Sequence, residues 1–394
     1  MSRSYTAAAL HAEGRQICDL AEKVAREELR PRAAERETED FDRAIVDQLG
    51  ELGFLGMLVP AEYDGLGTDM LTYLCALEEL AWGDPAVALS VSVHNSLPTR
   101  ILLRHGTEEQ KERWLRPMAR GELLGAFSLS EANAGSDAVS LTAQATRTDD
   151  GGWVLDGEKM WVTNGETADL ITLFARTDEP GDRRGKDGIG AFVVPTDRPG
   201  YVPGKEEEKM GLRASETVSV QLDGLELGPE HLIGEPSMGF KYALQGLTGG
   251  RLGIASQALG IAQAALDHAV EYAAEREQFG TPVGQFQGMR FKLADMSTRL
   301  DAARSLTHRA ARLVEDGEPE ARRFSSMAKM EASEAAMQVT REAVQVFGGY
   351  GYVREYPVER LFRDAKVTEI YEGTSEIHRS IIGKQLFRER GLET

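Results

Sequence analysis

Trp153 to Gly165 reads WVLDGEKMWVTNG, and in it Trp153 and Leu155 alternate with Val154 and Asp156, the period-two pattern of a strand with one buried face. Short β-branched and aromatic runs of the same texture follow in LITLFART, GIGAFVVPT and ETVSVQLDGLEL, punctuated by Gly, Asp and Pro,. The gaps between runs are too short for crossover helices. Residues 121–234 are therefore expected to form an antiparallel β domain, either a small barrel or a sandwich. Within it, Asp178 to Asp187 (DEPGDRRGKD) reads as an exposed loop.

Helical spacing flanks this region on both sides. Before it, from about Tyr5, Ile17, Leu20, Ala21 and Val24 share one face, and Ile45, Leu49, Leu52 and Leu55 repeat the device,. Gly65 and Gly67 interrupt in a loop, after which Leu71, Leu74, Leu77 and Leu80 resume it. After it, Leu252, Ala255, Leu259, Ala262 and Leu266 step by three and four, and Ala-rich segments run through Ala303 and from Ala321 to Val346. Small residues on one stripe let helices pack closely, so a C-terminal four-helix bundle is expected. The fold class is thus α+β multidomain: an all-α domain at 1–120, the β domain at 121–234 and a helical bundle at 235–394.

The 394 residues suffice for two or three domains with ample cores,. A formal net charge of −19 without a basic stripe argues against nucleic acid,. It also opposes an anionic substrate at long range, but screening over roughly 8 Å leaves local Lys and Arg free to dominate. Cys18 and Cys75 are too few for a disulfide framework or a zinc site and suit a reducing compartment,. The first thirty-odd residues lack a secretory apolar core and no stretch is long enough to span a bilayer, so a cytoplasmic location is expected.

Chemistry concentrates in three places. Ile370 to Arg379 (IYEGTSEIHR) sets a carboxylate beside a glycine and two hydroxyls; Ala126 to Ala138 (AFSLSEANAGSDA) is a small, hydroxyl-rich loop; Lys159 to Gly165 (KMWVTNG) carries an aromatic and a Thr. Backbone N–H groups and short donors suit an anionic ligand, and an aromatic followed by Thr can cover a planar ring. Together they suggest a flavin between two segments with a base above it. Each piece has a plainer reading: a solvated helix start at Glu372, a turn at Ser136 and Asp137, packing at Trp161. No G-x-G-x-x-G follows a strand and there is no P-loop, so neither standard nucleotide site is supported. H-E-x-x-H and G-x-S-x-G are also absent, which argues against a metal hydrolase or a serine nucleophile, and no metal is expected.

Over nearly its whole length the chain resembles the acyl-CoA dehydrogenases, most closely the short-chain (butyryl-type) branch. The likeness is carried by GFLGMLVPAEYDGLG, KMGLRASET, GGRLGIASQALGIAQAALDHAVEYAAEREQFGTPV and VFGGYGYVREYPVERLFRDAKVTEIYEGTSEI. It implies an FAD enzyme, tetrameric, that removes the α proton and β hydride of an acyl-CoA and passes electrons to electron-transfer flavoprotein. Glu372 matches the family base. Relatives that carry the base elsewhere place it one residue before the first bundle helix's arginine, and here Gly250 stands before Arg251.

By the same likeness Phe127, Leu129, Ser130 and Ser136 would line the flavin or the pantetheine arm, with Trp161, Val162 and Thr163 over the ring. Arg276, Phe279, Gln287, Gln345, Val346, Gly348 and Gly349 match positions that hold the rest of FAD from a neighbouring subunit. Thr374, Ser375 and Glu376 complete the flavin contacts, while Ser136, Thr248, Arg251, Tyr371 and Gly373 meet substrate. Ser130 stands where Thr is usual, Ala132 where Pro is usual, and Thr248 where Asp is common and touches CoA. Two alternatives remain: an oxidase of acyl-CoA or a nitroalkane, for which Asp in place of Glu372 would speak, and a non-catalytic thioester-binding protein on the same scaffold.

Overall fold

The computed structural model describes residues 10–39, 41–178 and 185–392. Helices α1 (Ala12–Val24), α2 (Arg43–Glu51), α3 (Met70–Gly83), α4 (Pro85–Ser96) and α5 (Pro98–His105) dominate the N-terminal part. Three of these starts follow from one residue type. Asp42, Asp69 and Asp84 accept from the backbone N–H of Ile45, Thr72 and Ala86, satisfying donors that a first helical turn leaves orphaned,. Leu71, Leu74, Leu77 and Leu80 are buried, as their spacing requires.

Seven strands follow: β1 (Gly125–Ser128), β2 (Gln144–Arg147), β3 (Trp153–Thr163), β4 (Leu170–Arg176), β5 (Ile189–Pro195), β6 (Tyr201–Glu206) and β7 (Thr217–Leu227). They form one sheet in the order β1-β4-β2-β3-β7-β6, with β5 paired to β4. Most pairs are antiparallel. The expectation of an antiparallel domain is corrected at β4, which runs parallel to β1, with Gly125 opposite Leu170, and to β2, with Gln144 opposite Arg176. β1 and β4 are not consecutive, and the segment 129–169 supplies the long connection that a parallel pair needs. Of the expected loop at 178–187, residues 179–184 lie outside the described residues. Asp178 itself is buried, accepting from Arg176 at 2.7 and 2.6 Å.

Helices α6 (Gly239–Glu275), α7 (Gln287–Glu315) and α8 (Ala321–Phe347) pack on one another, α9 (Pro357–Val367) closes the bundle against α6 and α8, and α10 (Ser375–Arg388) lies on α8. Leu252, Ala255, Leu259 and Ala262 face its core. α6 also crosses α3 and α4. Gly260 permits that approach, because a Cβ there would sit 2.5 Å from the Glu78 carbonyl oxygen,. This long helix therefore belongs to both helical regions, and the sheet meets it near its start. Among the described residues no helix is long and apolar enough to cross a membrane.

Candidate active site

Between α9 and α10 the chain makes a tight passage. Tyr371 N donates back to Val367 O (3.1 Å), and Thr374 caps α10 by accepting from Ile377 N (3.3 Å). In the gap, Glu372 (φ 51°) and Gly373 (φ 103°) both adopt left-handed backbone. Glycine does so freely, whereas a glutamate there costs about 1–2 kcal/mol. Strain of this kind persists only where surroundings enforce it, and it gathers at functional sites.

The strained backbone turns the Glu372 carboxylate inward. Its Oε2 is enclosed and makes no hydrogen bond among the described residues. Burial raises its pKa to about 7, against the opposing pull of Arg251 and Lys329,. The space comes from α6: a Cβ on Gly250 would overlap this carboxylate, whose carboxyl carbon lies 2.8 Å from that position. Arg251 beside it is buried, its Nε has no hydrogen-bond partner among the described residues, and desolvation lowers its pKa to about 10. The Tyr371 hydroxyl donates to Gln257 Oε1, and Gln257 Nε2 donates to Pro85 O (2.6 Å), tying this wall to the N-terminal helices.

On the sheet side, Met160 N donates to Ser130 O (3.0 Å) and joins the two upstream segments into one platform. Beneath it, fully buried Lys159 donates to Glu131 (2.7 Å), which also accepts from the N–H groups of Thr142 (2.6 Å) and Ala143 (2.9 Å). A register shift in β3 between Lys159 and Val162 puts Trp161 at φ 61° and leaves it 60% exposed.

These elements enclose a cavity of about 920 Å³. Phe127, Leu129, Ser130, Ser136, Trp161, Thr163, Arg251, Tyr371, Glu372, Gly373 and Thr374 line it, so the structure brings three distant stretches together. Leu89 and Val93 of α4 and Leu97 just past its end, with Leu247 and Ile254 of α6, make an apolar wall that the sequence reading passed over; the step of four through 89, 93 and 97 was the available signal. Arg322, Arg363 and Lys366 add basic groups.

Several candidates lie elsewhere. Val162 packs its side chain into the sheet core, because it points to the opposite face from Thr163,. Thr248 does not line the cavity, its hydroxyl instead donating to Leu244 O (3.0 Å). Ser375 is buried in the first turn of α10 and Glu376 is exposed there; neither lines the cavity. Arg276, Phe279, Gln287, Gln345, Gly348 and Gly349 gather in a second group around the α6–α7 turn and the end of α8. Phe279 is 95% exposed and meets Phe286 edge-on, and Arg276 lies over Tyr350 at 5.4 Å. Val346 is buried in the bundle core, since only one face of α8 is free at that end.

The lining fits a flavin ring. A half-exposed indole stands at the wall, hydroxyls of Ser130, Ser136 and Thr163 surround it, and the volume exceeds what a short thioester fills,. None of the second group lines this cavity.

Three family models cover the chain: acyl-CoA dehydrogenase N-terminal domain over residues 11–122, middle domain over 126–225 and C-terminal domain over 237–387. The chain belongs to the acyl-CoA dehydrogenase family. It is 47% identical over 380 residues to the mitochondrial short-chain specific acyl-CoA dehydrogenase of Rattus norvegicus, covering 96% of this chain and 90% of that one. Its structure superposes on butyryl-CoA dehydrogenase from Megasphaera elsdenii with a TM-score of 0.94 at 43% identity, covering 96% and 99%. Also similar are a chain in the structure described as electron transferring flavoprotein of Acidaminococcus fermentans (TM-score 0.93, 42% identity, 96% and 99% covered) and glutaryl-CoA dehydrogenase from Mycobacterium smegmatis in complex with FADH2 (0.90, 32%, 98% and 96%). This acyl-CoA dehydrogenase is thus an oxidoreductase with helical outer domains around a curled sheet.

Proposed function

We propose that the enzyme oxidises a short-chain acyl-CoA, straight or branched, to the trans-2-enoyl-CoA, with Glu372 taking the α proton. The observation that carries this reading is the enclosed Oε2 of Glu372, without a hydrogen bond among the described residues and held by left-handed backbone at the wall of the cavity. A proton acceptor works best when its pKa lies near the working pH, and burial places Glu372 there,. The Glu372 N–H makes no backbone hydrogen bond among the described residues and is available to the thioester carbonyl, where a donor would acidify the α carbon. Tyr371, Leu97 and Ile254 would wall the acyl chain and keep water out,.

FAD, when bound, supplies the acceptor for the β hydride. Trp161 and Thr163 would hold its ring, and Ser130 and Ser136 would meet its neighbouring polar groups. The exposed group at Arg276, Phe279, Gln287 and Gln345 would serve the cavity of another subunit in a homotetramer. Electron-transfer flavoprotein is the proposed acceptor, fatty acid β-oxidation the setting and the cytoplasm the place, with domain divisions near 120 and 234.

The test is anaerobic addition of butyryl-CoA to the FAD-loaded Glu372→Gln variant. It should retain FAD yet reduce it at least about 10³-fold more slowly than the wild type. Rapid bleaching would refute the assignment.

A further inference from the structure

We propose that Lys329 is a positioning residue for the reaction: its ammonium, hydrogen-bonded to the Gly373 carbonyl, holds the left-handed turn that aims Glu372 into the cavity. This rests on the assignment of Glu372 as base and deepens it.

Lys329 is on α8 and fully buried, and its Nζ donates to Gly373 O at 2.7 Å. The other ties of the turn lie at its ends: Tyr371 N on Val367 O, Ser375 N on Glu369 O and the Thr374 cap. None of them grips the Gly373 carbonyl. An enclosed ammonium costs several kcal/mol unless it meets compensating groups. Packing does not require it, since Met would fill the same space with less penalty.

The groups around it leave Glu372 as its main electrostatic companion. Burial lowers the Lys329 pKa to about 7; against it Glu372 attracts the cation most and Glu369 and Glu376 less, while Arg251 of α6 opposes it, with Arg322 of α8 acting in turn on Arg251. From α10, His378 approaches the same turn: its Nε2 lies 3.2 Å from where a Cβ on Gly373 would sit. Burial and the nearby Lys329 and Arg251 hold that imidazole neutral down to about pH 3, against a weaker opposing pull from the Gly373 backbone, so at neutral pH Lys329 is the charged group on that carbonyl. The lysine thus has a mechanical hold on the turn and lies within the field of the carboxylate. Losing the cation would leave Glu372 harder to ionise.

The holoenzymes of wild type, Lys329→Met and Lys329→Arg would be reduced with butyryl-CoA across a pH series. Acetyl-CoA, which has no β carbon to oxidise, would report binding. Lys329→Met should bind acetyl-CoA within about threefold of wild type while its limiting reduction rate falls at least about 30-fold. The acid limb of that rate, a property of the coupled lysine–glutamate pair, should move up by about one pH unit. Lys329→Arg should recover at least about a third of the rate and return the limb. A Lys329→Met enzyme with wild-type rate and limb overturns the proposal. If that variant does not fold, Lys329→Gln replaces it, and a limb that fails to move in Gln while staying put in Arg overturns it equally. Glu372→Gln separates the two assignments: rapid reduction there removes the base and this proposal together, whereas an inert Glu372→Gln beside a normal Lys329→Met removes Lys329 alone.

Discussion

Glu372 combines a strained backbone, an enclosed oxygen and a pKa near 7, and each has a measurable consequence. The proton acceptor must be ionised before substrate arrives, so kcat/KM for butyryl-CoA should rise through about pH 7 and level above it. A profile already flat from about pH 5 would contradict this. The same shift acts on stability. The folded pKa lies above the ordinary 4.5, so the group's stabilising contribution is full below pH 4.5 and is lost as pH rises through about 7. Glutamine has no such dependence. The melting temperature of Glu372→Gln relative to wild type should therefore climb between about pH 5 and pH 8, corresponding to on the order of 2 kcal/mol. A wild type that remains the more stable at pH 8 would mean the carboxylate is well paired. Glu372 was picked out by the likeness of IYEGTSEI to the family motif, since a carboxylate beside a glycine is by itself more often a solvated helix start. Lys329 was not, since a lysine at helical spacing is ordinarily solvated, and only the return of the chain after α9 buries it.

Elements meet at this site through absent side chains. α6 passes Glu372 at Gly250, and a methyl group there would collide with the carboxylate. Gly250→Ala should fold, because the obstructing atoms are the end of a flexible side chain, yet displacement of the base by about 1 Å should slow flavin reduction about 100-fold. Stopped-flow reduction by butyryl-CoA checks it, and a wild-type rate would show that the carboxylate works from another position. β3 contributes differently. Its bulge turns Trp161 outward while Val162 stays in the core, so alternation rather than adjacency decides which of KMWVTNG reaches the cavity. The strands were readable from period two. The β1–β4 parallel pairing was not, because pairing between non-consecutive strands leaves no mark on local pattern.

At the level of the molecule, the neighbouring stretches 126–138 and 159–165 share one cavity with 370–379, more than two hundred residues further along, while Phe279 and its neighbours are left facing outward. An aromatic side chain that is 95% exposed in left-handed backbone has no role in its own subunit's core,. Phe279→Ser should weaken FAD retention at least about tenfold on dilution and shift the assembly toward smaller species, with little change in the fold. Sedimentation and flavin absorbance on the same sample check both. An unchanged assembly with unchanged FAD retention would refute the role of this face.

Composition and periodicity sufficed for the helix–sheet–helix order, and likeness of the IYEGTSEI stretch to the family motif pointed to Glu372, since these depend on patterns close along the chain. The gap at Gly250, the buried Lys329 behind the turn, the apolar wall of α4 and the outward placement of the Phe279 group emerged only on folding. They depend on which faces of distant elements meet, and that is set by packing geometry rather than by any local pattern.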